Sequence, residues 1–233
     1  MIPPVNPGSF LSTHRLIPSR YSPRGTVLAD LGDDEDEVAD IVELDGSTNA
    51  RLSGEAGLLP GIGVHELVFG VPNGQVINAS FTHAAKDGGR FNNSMRGAWY
   101  AGIEQETSMH EVAYHRIHEM QEVGWQEEEV STYDDYLADF IGDFHDLRGE
   151  SEEFKKFLKP LPIPECYSES QLLATSLLDQ GSNGIVFPSV RHTEGTCLVC
   201  FRPALVYHVR RSHRLEFRLL ATRPFTVSQV KGA

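Results

Sequence analysis

The chain has 233 residues, of which 40% are apolar, and it carries a formal net charge of −13 at pH 7. A chain of this length can bury one sizeable core, so a single domain is expected. The negative charge argues against direct nucleic-acid binding and against binding to anionic membranes, because clustered lysine and arginine side chains provide most of both interactions.

The sequence offers no signal for membrane insertion or export. No apolar run approaches the length that spans a bilayer. Residues 1–9 are rich in proline and lack the charged-then-apolar pattern of a signal peptide. A cytoplasmic location is therefore expected.

Three cysteines are present, and an odd count does not indicate a disulfide framework. Cys197 and Cys200 have C-x-x-C spacing, but they fall in a predicted strand that would turn their sulfurs to opposite faces. No second cysteine pair is available to complete a zinc site. All three cysteines are expected to be small buried hydrophobes, and no metal is expected.

The first 60 residues combine an extended lead-in, a short strand and an acidic helix. Residues 1–8 are proline-rich, and residues 14–17 are predicted to form the first strand, which ends at Pro18. An acidic run at residues 33–36 precedes an apolar pattern, which predicts an amphipathic helix with its acids at the favourable end of the dipole. We therefore divide the chain into a lead-in, residues 1–13, and one domain, residues 14–225, with an acidic helical insertion at about 30–60.

A glycine turn follows residues 76–82, which are predicted to form a strand or an extended segment. Gly88 and Gly89 permit positive φ and a close approach of a ligand to the backbone. Arg90 and Asn92 follow at once, and their side chains carry donors suited to phosphate or carboxylate groups. This pattern predicts an anion-binding turn.

A strand and a long helix come next. Residues 98–103 have strand character, which sends Trp99 and Tyr100 to opposite faces, one into the core and one toward a cleft. The helix that begins near Glu104 places Glu111 nearly opposite its apolar stripe, beside two histidines, His115 and His118. The stripe consists of Met109, Val112, Ala113, Ile117, Met120 and Val123. A glutamate at such a position is usually only a solvated surface charge, but here it accompanies a glycine turn, an arginine and an aromatic strand.

The second half of the chain is predicted to contain three helices followed by a sheet-rich end. The helices are expected at residues 133–144, 152–158 and 168–178, and the strands at 185–187, 198–201, 205–209 and 215–220. Ser189 lies just past the end of the strand that stops at Pro188.

These pieces, in this order, resemble the RES domain family, which is named for its arginine, glutamate and serine. The resemblance extends from about residue 14 to 203. The matching stretches are His14-Arg15-Leu16, Thr48-Asn49-Ala50-Arg51-Leu52, Ala79-Ser80-Phe81-Thr82-His83, Gly89-Arg90-Phe91-Asn92, Trp99-Tyr100-Ala101, residues 106–115 and residues 184–191.

The resemblance implies an α/β domain with a mixed sheet, similar to ADP-ribosyltransferase folds, and a cleft for NAD. Known members are toxins that destroy NAD and are paired with an antitoxin, so it also implies an Xre-type helix-turn-helix antitoxin as partner. By motif, Glu111 is the family glutamate, Ser189 the family serine, and Arg15 and Arg90 the arginine candidates. Tyr100 matches the aromatic residue of the strand before the glutamate helix.

The residue types suit cleavage of the bond between nicotinamide and ribose, with NAD as a substrate and no further cofactor. Glu111 would stabilise the oxocarbenium-like state or hold the 2′-hydroxyl and the nucleophile. Ser189 would orient the ribose or the carboxamide, and no G-x-S-x-G turn makes it an acyl nucleophile. The groups expected to bind NAD by charge-assisted bonds or stacking are Arg15, Arg90, Asn92, Tyr100 and Phe91, the last standing where many relatives carry tryptophan.

Several alternatives remain open from the sequence. The acceptor could be water or phosphate, or ADP-ribose could pass to a protein. A metal-dependent hydrolase could use Glu111, His115 and His118, although a true H-E-x-x-H motif is missing. The chain could also be a non-catalytic module that binds an antitoxin.

Overall fold

The computed structural model describes residues 2–22, 57, 59, 61–149 and 151–230. The predicted acidic helix and the stretch at residues 48–52 lie outside the described residues. Within the described ranges, no helix combines the length and the apolar character needed to cross a bilayer.

Seven strands form one mixed sheet, and helices pack against it in a single domain. The strands are β1 (Val5–Pro18), β2 (Trp99–Gly102), β3 (Glu129–Asp146), β4 (Gly184–Pro188), β5 (Thr196–Cys200), β6 (Tyr207–Leu220) and β7 (Arg223–Gln229). Their order is β1-β2-β5-β4-β3-β6-β7, and β1 also pairs with β3, so the first five strands form a closed ring of pairings. β3 and β4 run parallel, and the other neighbouring strands run antiparallel. The predicted α/β class is confirmed.

Strand β1 is longer than the sequence pattern suggests. It begins at Val5, inside the predicted lead-in, and pairs with β3 from Val5 opposite His145 to Pro18 opposite Tyr133. Pro7 lies within the strand, where φ near −65° is compatible with extended backbone. The first strand is thus held along most of its length by β3.

The helix predicted at residues 133–144 is wrong, because this segment belongs to strand β3. Its aromatic residues recur at helical spacing, and aspartate is uncommon in strands, so the local pattern favoured a helix. Partners from the neighbouring strand β6 compensate for the acidic groups: Arg214 pairs with Asp134, and Arg210 lies near Asp139. Pairing with β1 and β6, core packing and long-range ion pairs therefore accompany a strand that the local pattern does not predict.

The strand or extended segment predicted at residues 76–82 is also wrong. The segment forms helix α1 (Gly74–Thr82), in which Ile77 and Phe81 are buried against Trp99 and the sheet core. Ser80 donates a side-chain hydrogen bond to the carbonyl four residues earlier, at 3.0 Å. The β-branched composition suggested a strand, but packing of one helical face determines the structure.

The longest helix agrees with its prediction. Helix α2 (Gln105–Glu122) begins directly after Glu104, and Ala113 and Met120 of its stripe are fully buried. Val123 is the exception: it is 77% exposed, because the helix ends one residue before it. Residues 152–158 form a 3-10 helix (Glu152–Leu158), and the third predicted helix is α3 (Ser168–Asp179).

Strands β4 and β5 confirm their predictions. The strands expected at 205–209 and 215–220 are instead one strand, β6, which is preceded by a short 3-10 helix, and β7 was not predicted. All three cysteines are buried free thiols. Cys200 packs in the same core as Trp99, whereas Cys197 packs in the core that contains Phe187, so the two sulfurs lie on opposite faces as predicted.

Candidate active site

A cavity of about 940 Å³ opens between strands β1 and β2, helix α2 and the glycine turn. Its volume lies within the range of small-molecule sites. The lining groups that can contact a ligand through charge, hydrogen bonds or a ring include Arg15, Arg20, Arg90, Tyr100, Glu111, His115, His118 and Tyr167. Most of the family motifs named above therefore converge on one space.

Glu111 reaches this cavity from the second turn of helix α2. The stripe that contains Ala113 and Met120 packs against β6, so the opposite side of the helix faces the cavity. One carboxylate oxygen, Oε1, accepts a 2.6 Å hydrogen bond from the Ser189 hydroxyl and a weaker one from the Cys197 thiol at 3.7 Å. Among the described residues, no hydrogen bond reaches Oε2. The second oxygen of Glu111 is therefore free to act on a ligand.

Ser189 stands behind Glu111 and does not line the cavity. Its hydroxyl oxygen accepts hydrogen bonds from the backbone N–H groups of Arg191 and His192, at 3.1 and 3.0 Å. These two donors fix the position of the oxygen, so the single hydroxyl proton points to Glu111. The geometry suits a group that positions Glu111, rather than one that contacts a ribose or carboxamide directly.

Cys197 is held as a neutral thiol. Burial raises its pKa well above the usual range, and the charge of Glu111 raises it further. A thiol is a weak donor, so the bond to Oε1 adds little energy but fills the space beside the carboxylate. The sequence identified Cys197 only as a buried hydrophobe, and nothing in its spacing indicated contact with Glu111.

Arg15 lies over the Trp99 ring, 5.0 Å from its centroid, and donates to the carbonyl of Tyr100 at 3.2 Å. Its Nε atom is buried without a partner. Burial lowers the pKa of Arg15 to about 10, although Tyr100 opposes the shift. Desolvation of a cation without a carboxylate is unfavourable, and a bound anion would relieve it.

Arg90 follows the glycine turn and lines the cavity, although only 7% of the residue is exposed. Its Nη1 donates to the carbonyls of Phe157 and Lys159, at 3.2 and 2.9 Å, and its guanidinium lies 5.0 Å from the Tyr167 ring. Burial lowers the pKa of Arg90. In the part of the chain that the structure describes, neither Arg15 nor Arg90 forms an ion pair with a carboxylate. Both guanidinium groups are available to an anionic ligand.

The glycine turn is held in shape by the backbone conformation of Gly88 and by hydrogen bonds to Tyr100. Gly88 has φ of 72°, and a Cβ there would lie 2.2 Å from the Asn92 carbonyl, so only glycine fits. The Tyr100 hydroxyl accepts the backbone N–H of Phe91 and donates to the Asn92 side chain, both at 2.8 Å. This network ties the turn to strand β2.

Two predicted ligand contacts do not reach the cavity in this structure. The Asn92 amide group donates to the carbonyls of Asn93 and Arg96, each at 2.9 Å, and so supports the turn. Phe91 is 1% exposed, with its ring edge-on to Phe187 at 4.8 Å. Tyr100 faces the cavity while Trp99 is buried, as the alternation of the strand predicted.

Two lining residues had no sequence assignment as ligand contacts. Tyr167, in a short 3-10 helix (Glu165–Tyr167), supports Arg90 with its ring. His14 lines the cavity, and its Nδ1 lies 2.9 Å from Oδ2 of buried Asp135. His14 lies in the matching stretch His14-Arg15-Leu16, in which only Arg15 receives a role. Tyr167 carries no sequence signal, because its contact with Arg90 depends on chain segments that the fold brings together.

Comparison with known proteins identifies one family. The model of the RES domain matches residues 67–220, about two thirds of the chain. No curated protein matches the chain. A chain in the crystal structure of the M. tuberculosis MbcT–MbcA toxin–antitoxin complex is similar at 13% identity and a TM-score of 0.39, with coverage of 56% of this chain and 72% of that chain.

Proposed function

The chain belongs to the RES domain family, and from this premise we propose that it degrades NAD by cleaving the bond between nicotinamide and ribose. One observation carries the proposal. Glu111 presents an unbound carboxylate oxygen to a cavity that also contains Arg15 and Arg90, two guanidinium groups with no carboxylate partner among the described residues. A carboxylate for a developing cation and arginines for a diphosphate are the groups that this reaction needs.

Cleavage moves the bonding electron pair onto the nicotinamide nitrogen, which neutralises the pyridinium, and leaves positive charge on the ribose. The Oε2 atom of Glu111 would stabilise this oxocarbenium-like state, as carboxylates do in glycoside cleavage. The 2.6 Å hydrogen bond from Ser189 to Oε1 supports this role, because the carboxylate group cannot rotate away from the cavity without breaking that bond. Ser189 acts through Glu111 as a positioning residue.

Arg15 and Arg90 would hold the diphosphate of NAD by charge-assisted hydrogen bonds. Arg15 has a buried Nε without a partner, and Arg90 uses only Nη1 for the backbone. The Tyr100 ring would contact the nicotinamide. In this proposal the acceptor of the ADP-ribosyl group is water or phosphate, since both are small enough to enter a cavity of this size.

We also propose, from the family resemblance, that the protein is the toxin of a toxin–antitoxin pair. Its protein partner would then be an Xre-type helix-turn-helix antitoxin. The net charge of −13 favours a partner with a basic contact surface. Co-purification with a helix-turn-helix protein of the Xre type, followed by measurement of NAD turnover with and without that protein, tests this part separately from the chemistry.

A proton NMR time course of purified protein with NAD tests the enzymatic proposal. We expect loss of NAD with free nicotinamide appearing in equal amount. A rate that rises with phosphate while ADP-ribose phosphate accumulates would identify phosphate as the acceptor; plain ADP-ribose would identify water.

Two variants separate the reaction of this protein from a contaminating activity. Glu111→Gln should abolish most nicotinamide release, whereas Glu127→Gln removes the same charge from an exposed residue that does not line the cavity and should release nicotinamide at the wild-type rate. An increase in the mass of an added protein by one ADP-ribosyl group would show that the group is transferred to protein instead. Unchanged NAD in every sample would contradict the proposal and favour a binding module.

A further inference from the structure

A second cluster of chemically active side chains lies outside the cavity, near the start of helix α2. Glu106 and His110 are four residues apart and share one side of the helix, and His192 belongs to the loop after β4. Each residue offers one ligand atom, and these atoms all lie within 4.8 Å of one another. None of the three lines the 940 Å³ cavity.

The hydrogen bonds of His192 determine which of its nitrogens is free. The Thr107 hydroxyl donates its only proton to Glu104 at 2.7 Å, and the same oxygen lies 3.0 Å from Nδ1 of His192. Nδ1 must therefore carry a proton and donate to Thr107. A neutral imidazole then keeps its lone pair on Nε2, which is the form that binds a metal ion.

The chain from His192 through Thr107 to Glu104 has the form of the outer shell that orients metal-binding histidines. The same carboxylate oxygen of Glu104 also accepts the backbone N–H of Thr196 at 3.1 Å, which holds this terminal acceptor in place. Gly195 makes this arrangement possible, because a Cβ there would lie 2.5 Å from the Thr107 hydroxyl oxygen and 2.7 Å from Nδ1 of His192.

His110 is held in place by packing. Its ring stacks on His192 with centroids 4.7 Å apart and an interplanar angle of 5°, and the edge of Phe225 lies 5.0 Å away. Within the described ranges no hydrogen bond engages either ring nitrogen of His110. One nitrogen of each histidine and one carboxylate oxygen of Glu106 therefore lie within 4.8 Å of one another.

We propose that Glu106, His110 and His192 bind a divalent transition-metal ion of the zinc class. Two imidazoles and one carboxylate are a common zinc ligand set, with a fourth position left for water. Imidazole ligands favour zinc, copper or nickel over magnesium and calcium, which prefer oxygen ligands. This site is independent of the proposed NAD chemistry and differs from Glu111, His115 and His118, the set considered from the sequence.

The ion would tie the loop at residues 189–195 to helix α2. The backbone N–H of His192 donates to the Ser189 hydroxyl oxygen, and Ser189 in turn holds Glu111. The loop is closed at its base by a 2.8 Å bond from the Ser189 N–H to the Gly195 carbonyl. A metal bound to His192 would therefore hold in place the loop that positions the candidate catalytic carboxylate.

Calorimetric titration of the protein, freed of any polyhistidine tag, with Zn²⁺ tests the proposal. We expect one ion per chain, and at least about tenfold weaker binding in Glu106→Gln, His110→Asn and His192→Asn. Glu106 is exposed, so its variant should retain the fold. His83→Asn, at an exposed histidine outside the cluster, should bind as the wild type does. Thr107→Val keeps the side-chain shape and should also weaken binding, by about tenfold.

A second readout follows the loop itself. Hydrogen exchange of the amides in residues 190–195 should slow when Zn²⁺ is added to the wild type, and should not respond in His110→Asn. Cobalt substitution should give the visible bands of a tetrahedral ion in the wild type and not in His110→Asn. The proposal is overturned by no binding to the wild type, or by binding that is equal in the wild type and in folded Glu106→Gln and His110→Asn.

Discussion

Two carboxylates in this protein have opposite surroundings. Asp134 of β3 is fully buried and accepts hydrogen bonds from Arg214 at 2.7 and 3.0 Å, from Arg211 at 3.0 Å and from Ser19 at 3.2 Å. Glu111 of α2 has no arginine partner among the described residues, and its bonds to serine and cysteine both go to one oxygen.

The difference separates a carboxylate that stabilises the fold from the carboxylate to which we assign the proposed chemistry. At Asp134, cations compensate for the desolvation of the charge, and no capacity remains for a ligand. At Glu111, one oxygen is fixed and the other faces a cavity, where the arginines are left for an anionic substrate. The acidic residue that stabilises the fold and the one that we assign to chemistry can thus be distinguished by their partners.

The largest expected effect is on folding. Asp134→Asn leaves Arg214 and Arg211 without their shared anion in a buried setting, and we expect the free energy of unfolding to fall by about 3–5 kcal/mol. Urea unfolding followed by circular dichroism measures this loss. Asp179→Asn, at an exposed helix end, should change it by less than about 0.5 kcal/mol. Equal losses in both variants would remove the contrast between the two carboxylates.

Lowering the pH should also reveal the contribution of Asp134 to the stability of the fold. Burial opposes ionisation of Asp134, but hydrogen bonds from Arg214 and the charge of Arg211 lower its pKa to about 2, below the usual 3.8. Because the folded state binds the proton more weakly, this stabilisation is complete above about pH 4 and is lost as the pH falls toward 2. The stabilisation that follows from the lowered pKa of Asp134 amounts to about 2 kcal/mol. Unfolding free energies measured between pH 6 and 2 should fall less steeply in Asp134→Asn, and an identical slope would contradict the assignment.

Ser189 offers a sharper comparison, because it affects Glu111 without touching the cavity. Ser189→Ala should lower kcat for nicotinamide release by about tenfold through loss of alignment, with little change in KM. Ser189→Thr keeps the hydroxyl and should recover much of the rate. A rise in KM with kcat unchanged would instead indicate direct contact with the substrate.

The smallest effect is expected at Cys197. Cys197→Ala removes a weak bond of 3.7 Å to Glu111, and we expect a change in kcat of about twofold. The small void should cost about 1 kcal/mol of stability, measured by thermal unfolding. A loss as large as that of Ser189→Ala would mean that the thiol, rather than the hydroxyl, positions the carboxylate.

Local patterns predicted helix α2, its buried stripe and the alternation of Trp99 and Tyr100, because these depend on spacing within one segment. They failed at residues 133–144, where arginines of β6 compensate for the aspartates of β3. They also failed at residues 76–82, where tertiary packing selects a helix.

The family motifs indicated Glu111 and Ser189 but not the way in which they interact. The hydrogen bond joins residues that are 78 positions apart, so only the fold shows that Ser189 reaches the carboxylate and does not line the cavity. The pairing of Tyr100 with Asn92 likewise engages a side chain that the sequence assigned to a ligand. In each case, residue type indicated importance, and three-dimensional contacts determined the role.

The most direct test of the account is the rate of nicotinamide release from NAD per folded molecule, measured side by side for the wild type, Glu111→Gln and Asp134→Asn. We expect Glu111→Gln to lose at least about a hundredfold in rate while it keeps the wild-type unfolding free energy. Asp134→Asn should lose stability while its folded fraction turns over NAD at close to the wild-type rate. Wild-type turnover in Glu111→Gln would contradict the central claim that this carboxylate performs the chemistry.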